Sequence, residues 1–470
     1  MPPPPGPRPC CAATAREHRR LRHENQRLRA ENARLKRLLE QARRAGKRQA
    51  APFSKGAPNA EPRRPGRRPG AAYGRAAHRG VPEHIDEVVA VPLPPRCPHC
   101  GAAVEPLGVA PQYHAELPPV RPHVTRFDVA IGRCRHCQRR VQGRHPRQTS
   151  TALGAAASQL GPRALALAAD LNKALGLSFG KVSRLFQTFF GIAVSRAGLC
   201  RALDRVARVA APTYDALAEW IRDRAPVVTP DETGWKVGGR LQWLWVFVTE
   251  RVTLYTIQPG RGFDEALQVL SKDFAGVLVR DGWGPYRRFQ DATHQTCLGH
   301  LLRRCREILE TARAGAARFP HAVKALLQDA LALRDRRARG ELSPHGFAVA
   351  RGRLEARGDR LLAWKPTVED NRKFAAHLVR ERDALFTFLY HPEVPATNWA
   401  AEQAIRPAVA TRKVCGGNRT WRGAHTQEVL ITVLRTSHQQ GRDPYALLAA
   451  LLCAPAPRVA VALLPSARSP

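Results

Sequence analysis

The sequence predicts a multidomain α/β protein, and three observations lead to this fold class. The stretch 225–281 contains four short β-rich runs, with one helical run before the last of them. Segments with apolar residues at helical spacing lie on both sides of that stretch. The N-terminal part combines a leucine repeat, a basic linker and two Cys-x-x-Cys pairs. A chain of 470 residues has room for roughly two to four such domains.

The charge of the chain predicts its class of partner. Lys and Arg total 76 against 39 Asp and Glu, a formal net charge of +37, which favours a polyanion such as nucleic acid. No apolar stretch reaches the roughly 18 residues of a membrane-spanning helix, and the N-terminus lacks the apolar core of a secretory signal. The Cys-x-x-Cys pairs are typical of a reducing compartment. We therefore expect a cytoplasmic, DNA-binding protein with no membrane partner.

Residues 14–41 predict a leucine-zipper-like coiled coil. Leucine recurs every seven residues, and polar residues dominate the second seam position, which favours two parallel strands and hence a homodimer. The alternative is an amphipathic helix packed on its own globular body. The first seam position holds Leu21, Leu28 and Leu35, and the second holds His18, Asn25, Asn32 and Leu39.

Residues 42–85 form a basic linker, which we expect to be disordered in the free protein and to become ordered on DNA. Its Arg-Arg-Pro-Gly repeat resembles an arm that follows a DNA groove, with Pro and Gly keeping it extended. The arginines of this arm are Arg63, Arg64, Arg67 and Arg68.

Residues 86–148 predict a zinc-binding domain. Two Cys-x-x-Cys pairs offer four thiolates to one tetrahedral Zn²⁺, which would be structural because four cysteines leave no open position. The alternative is a set of core cysteines without metal. The alternating stretch 119–132 predicts a strand between the pairs. The predicted ligands are Cys97, Cys100, Cys134 and Cys137.

Residues 150–215 predict a helical region that resembles a helix-turn-helix. Ser195 is the expected N-cap of the second helix. From that helix Arg196 and Arg201 would point toward DNA. An ordinary helical hairpin gives the same pattern, so both interpretations stay open.

Residues 222–309 predict the first part of a catalytic core. The order strand, strand, strand, helix, strand is compatible with an RNase H-like fold. Asp231 would lie on the first strand, and Asp281 would end the fourth strand beside it. Two carboxylates on adjacent strands can share a divalent metal. Glu232, the neighbour of Asp231, would face the other side of the sheet and pair with a basic group.

The third acid must come from further along the chain. Residues 310–385 predict a helical insertion, 386–453 the second part of the core with C-terminal helices, and 454–470 a tail. Glu402 lies in a helix-like stretch of that second part, with Thr397 or Asn398 as its expected cap, while Glu393 in the preceding loop is the substitute.

Two basic groups accompany these acids. Both are predicted to contact DNA phosphates, although the first group could also be a solvated helix face. The first group is His300, Arg303 and Arg304, and the second is Arg406, Arg412, Lys413 and Arg419.

Over nearly its whole length, the chain resembles the DDE transposases of insertion-sequence family sixty-six. The motifs that carry the resemblance are CPHCG…CRHC, GRHPRQTS, LGPRALAL, PDETGWKV, VRDGWGPY, CLGHLLRR, NWAAEQAIRP and TRKVCGGNRTWRGA. The resemblance implies that Asp231, Asp281 and Glu402 are catalytic ligands of Mg²⁺ or Mn²⁺. It further implies binding of terminal inverted repeats, and cleavage and strand transfer of double-stranded DNA. Whether accessory proteins of the same element take part stays open from the sequence.

The chain departs from the family pattern at two places. Trp399 stands where the family has a second Asn, and Cys297-Leu-Gly-His300 replaces Cys-Trp-Ala-His. Two other functions stay open from the sequence: a catalytically inactive, zinc-dependent DNA-binding protein derived from a transposase, and an RNase H-like nuclease without strand transfer.

Overall fold

The computed structural model describes residues 17, 20–35, 38, 80–153 and 159–465. It divides the chain into two compact units, Met1–Pro119 and Val120–Pro470. The seam residues His18 and Leu39 lie outside the described residues, as do Arg63, Arg64, Arg67 and Arg68 of the predicted basic arm. Among the helices that the structure describes, none combines the length and apolar character needed to cross a membrane.

In the first unit, residues 20–35 are helical, and residues 80–119 contain no helix or strand. Leu21, Leu28 and Leu35 are each about half exposed, at 55%, 53% and 56%. Their heptad spacing therefore gives the helix an apolar seam that is open to solvent.

The second unit begins with a small hairpin of β1 (Ile131–Arg133) and β2 (Arg140–Gln142), which pair antiparallel. The strand predicted over 119–132 was wrong for most of its length, because only its last two residues belong to β1. Pro119 and Pro122 explain part of the difference, since proline has no N–H to donate to a neighbouring strand.

Three helices follow: α1 (Pro162–Ala169), α2 (Phe179–Phe190) and α3 (Arg196–Arg224). The Oγ atom of Ser195 accepts a hydrogen bond from the N–H of Gly198 at 3.0 Å, which confirms the predicted N-cap of α3. The helix continues through Pro212 to Arg224, because apolar residues keep recurring on its buried face.

A five-stranded sheet forms the centre of this unit. Its strands are β3 (Val227–Val237), β4 (Arg240–Val248), β5 (Thr253–Gln258), β6 (Val277–Arg280) and β7 (Thr293–Thr296), and the helix α4 (Phe263–Leu267) precedes β6. The spatial order is β5-β4-β3-β6-β7. β4 runs antiparallel to β3 and β5, whereas β6 runs parallel to β3 and β7. The predicted succession of three strands, a helix and a strand is confirmed, and β7 adds an unpredicted edge.

Helices make up most of the rest. They are α5 (Leu298–Thr311), α6 (Arg318–Ala338), α7 (Pro344–Leu362), α8 (Glu369–Arg380), α9 (Thr387–Tyr390), α10 (Trp399–Cys415), α11 (Trp421–Gln439) and α12 (Pro444–Leu452).

Three apolar cores hold these elements together. The largest joins α1–α3, α11 and α12 to one face of the sheet, so the predicted helix-turn-helix region shares its core with the strands. A second core lies within α5–α9, and a third lies between the β3–β5 strands and α10. In β6, Leu278 belongs to the largest core and its neighbour Val279 to the second. This short strand of the sheet therefore contributes to two cores, one of which it shares with the helical insertion.

Candidate active site

Two of the predicted acids lie side by side on neighbouring parallel strands. The register pairs Val227 with Val277 and Val228 with Leu278, an offset of 50 residues. Asp231 and Asp281 also differ by 50 (281 − 231), so continuing this register brings Asp281, directly after β6, level with Asp231 in β3. Both side chains are partly buried.

The third acid approaches from α10, which packs on β3 and β4. Glu402 lies in the first turn of that helix, with Asn398 as its N-cap residue. The Oε1 atom of Glu402 is 3.8 Å from both His300 Nε2 and Arg303 Nη2 of α5. By contrast, the proposed substitute Glu393 pairs with His391 at 3.7 Å, and its side chain is half exposed.

The electrostatics of Asp231 link the three acids. Burial, together with the negative charges of Glu232, Asp281 and Glu402, raises the pKa of Asp231 to about 7, while a hydrogen bond from the Glu232 N–H acts in the opposite direction. A cation beside Asp231 would be favoured, because it would relieve the repulsion that these negative charges exert on the Asp231 carboxylate.

Glu232 serves a different purpose, as its position in the strand predicts. Its Oε1 atom is 2.5 Å from Arg261 Nε, and its Oε2 atom accepts a hydrogen bond from the Tyr286 hydroxyl at 2.6 Å. The prediction that Glu232 pairs with a basic group is therefore confirmed. Arg261 also lies over the Trp283 ring, 4.1 Å from its centroid.

A basic groove adjoins Asp281. It has a volume of about 480 Å³ and lies between α5 and α8. Basic residues at helical spacing line both walls. Those on α5 are predicted from the sequence to contact DNA, whereas those on α8 are not among the predicted contacts. These residues are His300, Arg303 and Arg304 on α5, and Lys373, His377 and Arg380 on α8.

The remaining predicted DNA contacts fall in two places. Arg196 and Arg201 are exposed on α3, and Arg196 lines a second cavity, of about 530 Å³, with residues of α2. Arg406, Lys413 and Arg419 are exposed on and after α10. Arg412 instead donates hydrogen bonds to Thr233 Oγ1 and to the carbonyl of Gly234 in β3.

Carboxylate oxygens are the donors that Mg²⁺ prefers, so the chemistry of the three acids fits that ion. Throughout the described part of the chain, no three His, Cys, Asp or Glu side chains are close enough together to form a complete metal-binding group. The fit therefore concerns the type and charge of these acids.

The cysteine pairs form two turns of the same kind. Near the first pair, Gly101 N–H donates to the Cys97 carbonyl, and Cys97 N–H donates to Ala102. Gln138 and Arg139 repeat this pattern around Cys134. Backbone N–H groups of His99 and Cys100 lower the pKa of the Cys97 thiol, and those of Cys137 and His136 lower that of Cys134.

These features define a mixed α/β protein with a cluster of carboxylates on adjacent strands beside a basic groove. The chain belongs to the Transposase IS66 family, whose model matches residues 157–426, more than half of its 470 residues. The matched region contains Asp231, Asp281 and Glu402.

Two proteins of Sinorhizobium fredii (strain NBRC 101917 / NGR234) are similar to this chain. "Uncharacterized protein y4qI" is 24% identical over 232 residues, which are 43% of this chain and 41% of that protein. "Uncharacterized protein y4jO" is 29% identical over 98 residues, which are 21% of this chain and 30% of that protein. The match thus spans less than half the length of either relative.

Proposed function

We propose that this chain is a transposase that binds the terminal inverted repeats of an insertion sequence and catalyses DNA cleavage and strand transfer. The observation that carries the proposal is the level placement of Asp231 and Asp281 on parallel strands, with Glu402 near enough to raise the pKa of Asp231. The order of the five strands is compatible with an RNase H-like core.

In this proposal Asp231, Asp281 and Glu402 hold Mg²⁺ or Mn²⁺. The ion would neutralise negative charge that develops on the attacking and leaving oxygens of a phosphodiester. The three carboxylates would fix the position of that ion and so the place where the phosphodiester can bind. Glu232, held by Arg261 and Tyr286, keeps its own charge on the opposite side of β3.

The basic groove would bind the DNA backbone next to the acids. Its arginines and lysine supply charge for phosphate contacts on both walls. Arg303 and His300 would exchange their contact with Glu402 for a phosphate when DNA is bound. Of the other predicted contacts, the exposed Arg196, Arg201, Arg406, Lys413 and Arg419 remain proposed phosphate ligands, whereas the bonds of Arg412 to β3 favour a structural role.

We also propose that the four paired cysteines hold one structural Zn²⁺. Support comes from their spacing and from two turns that each lower the pKa of the first thiol, as metal-bound thiolates require. The zinc content of the purified protein, and its loss in Cys134→Ser, tests this proposal.

The proposed chemistry is tested with Asp231→Asn. We expect this variant to bind end DNA but to lose cleavage and joining in Mg²⁺ by at least about a thousandfold, because removing one carboxylate weakens charge stabilisation in the transition state. Asp273→Asn, which changes an exposed acid after α4, serves as the matched control. Cleavage by Asp231→Asn at the control rate contradicts the proposal.

The same assay separates the two other functions. A precleaved end that wild-type protein joins to target DNA supports a transposase. Cleavage without joining indicates a nuclease, and DNA binding without either reaction indicates an inactive DNA-binding protein.

A further inference from the structure

A buried carboxylate of the helical insertion lies behind the turn that carries Asp281. Glu381 is the residue directly after α8, and its side chain is fully buried. It belongs to none of the sequence motifs and does not line the basic groove. A buried charge needs strong partners, so the contacts of this side chain indicate what it does.

Two arginines of the core hold Glu381. Arg280 Nη1 is 2.8 Å from its Oε2 atom, and Arg287 donates to its Oε1 atom from Nε at 2.9 Å and from Nη2 at 2.6 Å. The Thr296 hydroxyl of β7 also donates to Oε2, at 2.6 Å. Burial opposes ionisation of Glu381, but Arg280, Thr296 and Arg287 outweigh it and lower its pKa.

Each arginine also binds the backbone of the Asp281 turn. Arg280 Nη1 donates to the Asp281 carbonyl at 3.2 Å, and Arg287 Nη2 donates to the next carbonyl, that of Gly282, also at 3.2 Å. The Glu381 carboxylate thus orients the guanidinium groups of both arginines, and these groups bind the two successive backbone carbonyls. The turn also packs against α8, because a Cβ atom on Gly282 would lie 2.8 Å from His377 Cε1.

In the same turn, the Asp281 carboxylate is oriented by the Trp283 N–H, which donates to its Oδ1 atom at 2.9 Å. The arginines therefore hold the backbone of the turn, while the Trp283 N–H holds the Asp281 side chain. A shift of either carbonyl would move the Asp281 side chain relative to Asp231.

We propose that Glu381 is a positioning residue, which acts through Arg280 and Arg287 to hold Asp281 where it can bind metal. The inference rests on the proposed function, since it assigns Asp281 to a metal site. It also gives the helical insertion a part in assembling that site.

The test measures Mn²⁺ binding to the full-length protein by calorimetry, without DNA. We expect Glu381→Gln to weaken binding roughly tenfold to a hundredfold, the range typical of residues that orient a metal ligand. Glu381→Asp, which keeps the charge, should recover part of the affinity. The control is Glu428→Gln, which alters another buried carboxylate that accepts the Ile257 N–H at 2.5 Å. Glu428 contacts none of the three acids, so this variant should bind Mn²⁺ like wild type.

Arg287→Gln is a second variant in case Glu381→Gln does not fold. Its side chain is 33% exposed, so the change leaves the interior less disturbed while removing the bond to Gly282. We expect weaker Mn²⁺ binding in the same direction. Wild-type affinity in whichever of the two variants folds overturns the inference.

A double variant shows whether Glu381 acts through Asp281. Adding Glu381→Gln to Asp281→Asn should weaken Mn²⁺ binding no further than Asp281→Asn alone. If Glu381→Gln weakens Mn²⁺ binding by the same factor in the Asp281→Asn background as in wild type, Glu381 acts by a route other than Asp281. That result overturns the inference. If Asp281→Asn itself binds Mn²⁺ like wild type, the proposed metal site fails, and the inference fails with it.

Discussion

At the scale of single residues, Lys173 illustrates how burial changes the chemistry of a side chain. Its Nζ atom donates to Gln427 Oε1 at 2.9 Å and lies 5.7 Å from the centre of the Phe179 ring. Burial lowers the pKa of Lys173 to about 8, although the nearby Cys415 and Cys200 act in the opposite direction. Folding therefore carries an electrostatic cost at neutral pH, which the packing of this core offsets.

This cost makes stability depend on pH in a defined direction. Between about pH 8 and 10.5 the unfolded chain holds the Lys173 proton and the folded chain does not, so this residue makes stability rise with pH. We expect Lys173→Met to remove that rise and to be more stable at pH 7 by up to about 3 kcal/mol. Urea unfolding across this pH range measures the free energy of unfolding of both proteins. Lys181→Met, which changes an exposed lysine, is the control. A pH-independent difference between Lys173→Met and wild type contradicts the assignment.

At the scale of elements, the Gly-Gly-Asn turn after α10 extends the sheet. Asn418 N–H donates to the Lys236 carbonyl at 2.8 Å, and Gly238 N–H donates to the Asn418 carbonyl at 2.9 Å. The Asn418 side chain accepts the indole N–H of Trp235 at 2.7 Å. The two glycines of this turn thus allow close contact with the β3–β4 hairpin.

The two glycines of this turn offer a matched pair of substitutions. Both have positive φ, 72° at Gly416 and 108° at Gly417, but only at Gly417 would a Cβ atom collide with the Lys236 carbonyl. We expect Gly416→Ala to lower the free energy of unfolding by roughly 1–2 kcal/mol and Gly417→Ala to lower it by more. Thermal or chemical denaturation compares them. Equal losses would mean that the close approach contributes nothing beyond backbone strain.

The elements also show which parts of the site are readable from sequence. Apolar residues precede Asp231 in β3 and Asp281 after β6, so the pattern alone predicts that both acids lie in or next to strands. β7 is not, because Thr293–Thr296 is a short polar strand without alternation. Glu381 lies in the charged run Arg380–Asp383 and resembles a solvated residue in the sequence. Glu381 is buried only because the helical insertion packs against β6. This contact joins residues far apart in the sequence, so no local pattern predicts it.

At the scale of the whole molecule, the chain has a leucine seam suited to a second copy, in addition to the proposed DNA-binding site. The half-exposed leucines of residues 20–35 are spaced to pair with an identical helix, and the net charge of +37 suits a bound polyanion. A homodimer of this kind would bring two DNA ends together.

Leu28→Lys tests the dimer. We expect this variant to sediment as a monomer under conditions in which wild type is a dimer, because a charge at a seam position opposes pairing. Ala30→Lys places the same charge outside the seam and should leave the dimer intact. A dimeric Leu28→Lys variant, or a monomeric wild type, contradicts the zipper prediction.

The four residues of β6 have a consequence for how the molecule opens. Since Leu278 and Val279 belong to different cores, the strand cannot separate from the sheet without disturbing the insertion, nor from the insertion without disturbing the sheet. Its amide hydrogens should therefore exchange with solvent only when both parts unfold, and they should rank among the slowest in the chain. The segment next to Asp281 should then be among the last to unfold.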